Sequence, residues 1–264
     1  MDVFMNIDPK REQCSCQVLV FSPVNNQTGP MSAPRTARER VREEMTAEIL
    51  AVARQHVARE GAAALSLRSI ARDLEMAPSA LYRYFDGRDA LLSALILAAY
   101  ESLADEAERA ADVARGSGDG DAARWLAVPR ALRAWALAHP HEWGLIFGTP
   151  VPGYQAPEET VQPYTRVAAA LVRPVVEAEA AGRLHVDEHA RPVSDELRQA
   201  VAPVADGLFP GMPVGKVVLA IGAWTTIVGV ISLEVFGHWR NTILDPGRFF
   251  EATIGNEADS IGLR

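Results

Sequence analysis

The chain has 264 residues, 48% of them hydrophobic and 23% charged, enough to bury a core in one large or two modest domains, which excludes a disordered polypeptide. Its formal charge of −8 excludes a uniformly basic nucleic-acid binder, but the charge is unevenly divided: residues 31–90 carry ten Arg and no Lys against nine acids, whereas residues 91–264 carry fourteen basic and twenty-two acidic residues. Cys14 and Cys16 are the only cysteines, too few for a closed four-ligand zinc site.

Residues 1–30 contain neither a basic n-region nor an apolar h-region of signal-peptide length, so a cytoplasmic address is expected. Met31, followed by Ser-Ala-Pro-Arg, looks like a natural start, and residues 1–33 read as a disordered extension, either a tail or a stretch ahead of a misplaced start codon. Arg35, Arg38, Arg40 and Arg42 then face only Glu39. Such an arm can add phosphate or minor-groove contacts, or be a solvated, frayed terminus. From Val41 to Glu60 the positions Met45, Ile49, Val52, Ala53, His56 and Val57 trace one helical face, and Gly61 sits where a glycine commonly ends a helix. On that face His56 is expected to be a hydrogen-bonded core histidine.

The stretch from Leu65 to Leu92 reads as two short helices joined by a tight turn. Leu67, Ile70, Ala71 and Leu74 fall on one helical face, with Ser66 placed to cap its start. Glu75, Met76 and Ala77 make the turn. Pro78 occupies a first-turn position, where its missing N–H costs nothing, and the second helix is expected to run through Ser79 to Phe85. Leu81 and Phe85 face inward, leaving Ser79, Arg83 and Tyr84 on the outer face of a helix suited to a major groove, with Tyr82 at the edge of that face. Asp86 and Asp89 suggest a reduced capping box for the next helix, with the Arg88 guanidinium in its first turn able to clamp a phosphate.

On these residues the chain resembles the DNA-binding half of the TetR family of bacterial regulators: Ile70-Ala71, then Leu81-Tyr82-Arg83-Tyr84-Phe85, then Arg88 and Leu91-Leu92. The resemblance implies that Arg68, Ala80 and Arg83 face bases while Tyr82, Tyr84 and Arg88 hold the sugar-phosphate backbone. Three positions depart from the family pattern: Glu75 stands where Gly is usual, Ala77 replaces a Ser or Thr cap, and Tyr84 replaces a His. A positive φ at Glu75 is implied, at a local cost of about 1 kcal/mol.

A long helix is expected from Arg88 to about Arg115, then a Gly/Ser/Asp loop at 116–120, then a helix capped by Asp121 and kinked at Pro129. His139-Pro140 breaks it, Trp143 to Phe147 form a short helical turn, and residues 148–154 form a Pro/Gly loop. The segment Arg133 to Gly148 is similar to the C-terminal domain of the WHG type within the same family. Further helices are expected over 158–181, interrupted at Pro163 and Pro174, over 195–206, over 213–239, and after Pro246. Val217 to Leu233 is free of charge but slightly short for a membrane span, and Gly222, Thr226 and Gly229 form a small-residue stripe on it. It reads as a buried helix that, with the 195–206 helix, gives a four-helix dimer contact.

The six histidines form no metal or nucleophile constellation; His185-x-x-x-His189 lies in a short polar connection, where solvated charge is the default, so neither metal, cofactor nor enzymatic activity is expected. Aromatic residues beside the broken helix, Trp125, Trp135, Trp143, Phe147 and Tyr154, suggest a cavity for a small lipophilic effector, with Trp125, His139, Trp143, Phe147 and Tyr154 as the candidate contacts. The expected architecture is all-α: an N-terminal three-helix helix-turn-helix domain at 34–96 and a larger helical effector-binding and dimerisation domain at 97–264. The expected function is that of a homodimeric repressor released from a palindromic operator by its effector. An activator of the same fold, or an all-α ligand-binding protein or enzyme, is the alternative.

Overall fold

The computed structural model describes residues 36–185 and 193–263, and among them there are helices and turns but no strand. The expected extension, Arg35, Cys14, Cys16 and His189 lie outside the described residues. Helix α1 spans Ala37–Glu60 and so opens at Ala37 rather than Val41. The reason is local: the Thr36 hydroxyl accepts from the Glu39 N–H at 3.2 Å, and the Glu39 carboxylate accepts from the Thr36 N–H at 2.7 Å, a complete capping box. Arg38, Arg40 and Arg42 therefore stand on a helix instead of an extended arm. Gly61, at φ 81°, ends α1 as its position predicts.

Helices α2 (Leu67–Asp73), α3 (Pro78–Leu81) and the long α4 (Arg88–Gly116) follow. Ser66 has the extended backbone of an N-cap, but its side chain makes no capping bond. The expected Asp86/Asp89 box is also absent, because Gly87 at φ 128° takes the N-cap position of α4. Helix α3 stops at Leu81, short of the expected Phe85. The chain must turn back into α4 within a few residues, and Arg83 and Tyr84 N–H groups bond to the Ala80 and Leu81 carbonyls in tight i to i+3 fashion. Ile49, Ile70, Leu81, Phe85, Leu91, Leu92 and Leu95 close one hydrophobic core over this unit.

The remaining helices enclose a second core. They are α5 (Asp121–Ala138), α6 (Pro140–Phe147), α7 (Val161–Ala180), α8 (Asp195–Leu208), α9 (Val214–Val235) and α10 (Pro246–Ser260). Helix α4 joins the two cores: its first turns pack beneath α1 to α3, and Leu103, Ala104, Ala107 and Ala111 continue into the second, where small side chains admit α5 and α7 closely. Gly120, not Asp121, is the N-cap of α5; the Asp121 carboxylate instead accepts from Arg183 at 2.7 Å and from Arg124 at 3.4 Å. Pro163 and Pro174 do not interrupt α7. Pro163 lies in its first turn, and the buried residues Leu171 and Val175 on either side of Pro174 hold the helix through the missing hydrogen bond. His185 is not helical, and its N–H donates to the Gly262 carbonyl at 3.0 Å.

Helix α9 is long and apolar enough to cross a membrane by length and composition alone, as the core helix of a soluble protein also can be. Val217, Ala223, Ile227, Val230 and Ile231 on one side belong to the second core, while Gly222, Thr225 and Leu233 on the other are exposed. Helix α8 buries only Ala205.

Candidate nucleic-acid interface

Fully buried Leu81 and nearly buried Phe85 pin α3 and the turn after it to the core, so the side chains between them point outward. Ser79, Tyr82 and Arg83 are exposed, Tyr82 at 52%. Arg68 is exposed on α2, whereas Ala80, Tyr84 and Arg88 are half-buried.

Two of these seven have intramolecular work. The Arg88 guanidinium donates to the Ala62 and Ala63 carbonyls at 3.2 and 3.3 Å, tying the start of α4 to the turn after α1. Tyr84 carries Arg42 over its ring, with the guanidinium carbon 5.7 Å from the centroid, and Arg42 Nη2 donates to the Arg83 carbonyl at 3.4 Å. Arg42, read from the sequence only as part of a basic run, is the member of this site that its spacing did not single out, because its contacts to Arg83 and Tyr84 are tertiary.

The turn itself departs from L-residue preferences: Glu75 has φ 54°. That left-handed residue lets the Met76 N–H reach back to the Ala71 carbonyl at 2.8 Å and closes α2. The end of α2 is held to α1 by His56, 3% exposed, whose Nε2 donates to Asp73 Oδ2 at 2.8 Å. This hydrogen bond, with lesser help from His56, Arg72 and Arg59 charges, outweighs desolvation and holds the Asp73 carboxyl below the usual carboxylate range.

The five candidate effector contacts lie in different surroundings. Trp125 and Trp143 are fully buried, the latter donating from Nε1 to Ser232 Oγ at 3.1 Å. His139 stacks on Trp135 at 4.9 Å. Tyr154 leaves the second core altogether: it packs with Val151 on the first and shares a 2.9 Å hydrogen bond with Ser93 of α4. Only Trp143 and Phe147 meet, at 4.4 Å. Phe147 in turn belongs to a closed ring of edge-to-face contacts with Tyr100, Tyr164 and Trp224, one residue from each of α6, α4, α7 and α9, with centroids 5.9 to 6.2 Å apart. Nothing in the spacing of Tyr100, Tyr164 and Trp224 along the chain announces that they meet.

Residues 49–95 match a family described as bacterial regulatory proteins, tetR family, and residues 125–256 match the tetracyclin repressor-like C-terminal domain. HTH-type transcriptional regulator Rv1816 of Mycobacterium tuberculosis strain H37Rv is 40% identical over 225 residues, covering 81% of this chain and 91% of that protein. HTH-type transcriptional regulator Mb1846 of Mycobacterium bovis is similar to the same extent, 40% over 225 residues. The crystal structure of the protein SCO4313 is 35% identical, with a TM-score of 0.68, covering 86% of this chain and all of that one.

Proposed function

Because the chain belongs to the TetR family of bacterial transcriptional regulators, with a helix-turn-helix DNA-binding domain, we propose that it is a cytoplasmic homodimeric repressor that leaves a palindromic operator when a small lipophilic effector binds. The observation that carries this reading is the outward set Ser79, Tyr82 and Arg83 on a segment whose other side is locked into the core by Leu81 and Phe85.

In this reading Arg68, Ser79, Ala80 and Arg83 meet base edges, and Tyr82, Tyr84 and Arg88 position the phosphate backbone, with Arg42 bracing the turn between them. The DNA-binding unit is residues 34–96 and the effector and dimerisation domain residues 97–264, α4 serving both. The dimer forms through α8 and α9. Support comes from the exposure of α8 and from the outer face of α9, where a Cβ added at Gly222 or Gly229 meets nothing within 4 Å, leaving room for a close-packed partner helix. Two recognition segments related by a two-fold axis then sit roughly 34–36 Å apart, one turn of DNA, and read an inverted repeat.

Effector binding to the C-terminal domain favours a dimer whose recognition segments no longer match the groove spacing, so the effector needs only a differential affinity for that state. Of the candidate contacts, Trp125, His139, Trp143 and Phe147 are taken as the aromatic surroundings of such a site, Phe147 through its contact with Trp224, whereas Tyr154, on the first core, is not part of it.

Selection of fragmented genomic DNA on the purified protein, followed by sequencing, tests the operator. The expected result is enrichment of fragments sharing one inverted repeat. Recovery of fragments with no common sequence contradicts the reading.

A further inference from the structure

A cavity of about 130 Å³ lies between α7, α8 and α9, walled by side chains such as Leu171, Val204, Leu208 and Ile221 and floored by Tyr164 and Trp224. No charged side chain lines it, so an ion or a carboxylate would lose its hydration without recompense. The cavity's volume is close to the roughly 150 Å³ of an apolar cavity that accepts a benzene-sized molecule.

One polar group breaks the apolar wall. Trp224 Nε1 donates to Tyr164 Oη at 3.1 Å, and an indole N–H can only donate, so the tyrosine oxygen is the acceptor and its own hydrogen remains to be given away. Among the described residues no acceptor takes that hydrogen. Burial pushes the Tyr164 hydroxyl up from its ordinary value, so it stays protonated and remains a donor at neutral pH.

We propose that this cavity is the effector site, and that it takes a small uncharged molecule made of an apolar body about the size of one aromatic ring and a single hydrogen-bond acceptor, such as a ketone or ester carbonyl, which receives the Tyr164 hydroxyl hydrogen. The inference rests on the reading of the chain as an effector-responsive regulator. A ligand here touches two corners of the Tyr100–Phe147–Trp224–Tyr164 ring. Its other two corners belong to α4, which starts inside the DNA-binding unit, and to α6, which is joined to α1 by the 3.2 Å Arg54–Glu142 ion pair.

Titration calorimetry with acetophenone, and with α-methylstyrene as the isostere lacking the carbonyl oxygen, tests the site. Wild-type protein is expected to bind acetophenone about fivefold or more tightly than α-methylstyrene, as one added hydrogen bond implies. Tyr164→Phe is expected to abolish that preference while retaining both ligands. Ala168→Leu, which adds a side chain to the lining, is expected to remove binding of both, with circular dichroism verifying its helical content. Absence of acetophenone binding to the wild type, a preference that survives in Tyr164→Phe, or undiminished binding to folded Ala168→Leu overturns the proposal. If acetophenone binds as expected but operator DNA leaves its affinity unchanged, the site stands and the effector-released repressor reading fails. If some other compound releases DNA from wild type and Ala168→Leu alike, the repressor reading stands and this site fails.

Discussion

Arg42 on α1 and Tyr84 after α3 are joined face to cation, 5.7 Å from guanidinium carbon to ring centroid, and the same guanidinium donates to the Arg83 carbonyl. A residue outside the helix-turn-helix thus fixes the backbone that carries Arg83. An exposed cation–π contact of this kind contributes about 0.5–1 kcal/mol. Arg42→Ala is expected to weaken operator binding by roughly two- to fivefold, since 1.4 kcal/mol is a factor of ten. Its thermal midpoint should change little, because the side chain is exposed. Equal DNA affinity in mutant and wild type, measured by anisotropy, would show that the contact braces nothing.

Glu75 sits at φ 54° in the turn between α2 and α3, where a side chain costs about 1 kcal/mol or more. Glycine removes that strain but adds about 0.4–1 kcal/mol of unfolded-chain entropy. Glu75→Gly is therefore expected to be neutral to stabilising by about 0.5 kcal/mol, whereas Glu75→Val should destabilise by more than 1 kcal/mol. Chemical denaturation of both variants checks the order; a Val variant as stable as the Gly variant refutes the strain argument.

The His56–Asp73 hydrogen bond gives stability a definite pH dependence. Asp73 has its folded-state pKa depressed, chiefly by that bond, so its contribution is present above the unfolded value, near 4, and is lost as pH falls through the folded value. The melting temperature of wild type should exceed that of Asp73→Asn at pH 7, and the gap should close progressively below about pH 4. A gap that stays constant down to the acid limit of folding would show that the pair is not linked to Asp73 ionisation.

Thr225 is exposed on the face of α9 assigned to the dimer. Thr225→Arg should yield monomers by light scattering, and loss of one of two tethered recognition segments should reduce operator affinity by about 10²-fold or more. A dimeric Thr225→Arg protein would move the interface elsewhere.

Much of the fold was legible because its signals are local. The helical face of α1, the glycine at 61 and the proline opening α3 all depend on residues within one or two turns of each other, while the strained Glu75 was implied by the family resemblance. The misjudged boundaries have tertiary causes. Proline alone argues for a break at Pro174, but Leu171 and Val175 bury the helix on both sides of it, and α3 ends early because Phe85 must enter a core that α1, α2 and α4 share. The outward Ser79 and Arg83 could be read from one short helix, but the two tyrosines exchange places: Tyr82, expected at the edge, is exposed, and Tyr84, expected outward, is half-buried under Arg42 because α3 ends at Leu81. The aromatic ring could not, since Tyr100, Phe147, Tyr164 and Trp224 come from four helices whose contact is decided by the packing of the whole C-terminal domain.

Sequence-specific reading of DNA by the α3 segment is tested most directly by fluorescence anisotropy. The duplex is the inverted repeat recovered from the genome, compared with a scrambled duplex, for wild type and Arg83→Ala across a salt series. Wild type should prefer the native duplex and lose affinity steeply with salt, as phosphate contacts require. Arg83→Ala should lose roughly tenfold or more of the preference, in keeping with about 1–3 kcal/mol for one base contact, while keeping its weak affinity for scrambled DNA. A preference undiminished in Arg83→Ala would contradict the assignment of base reading to this segment.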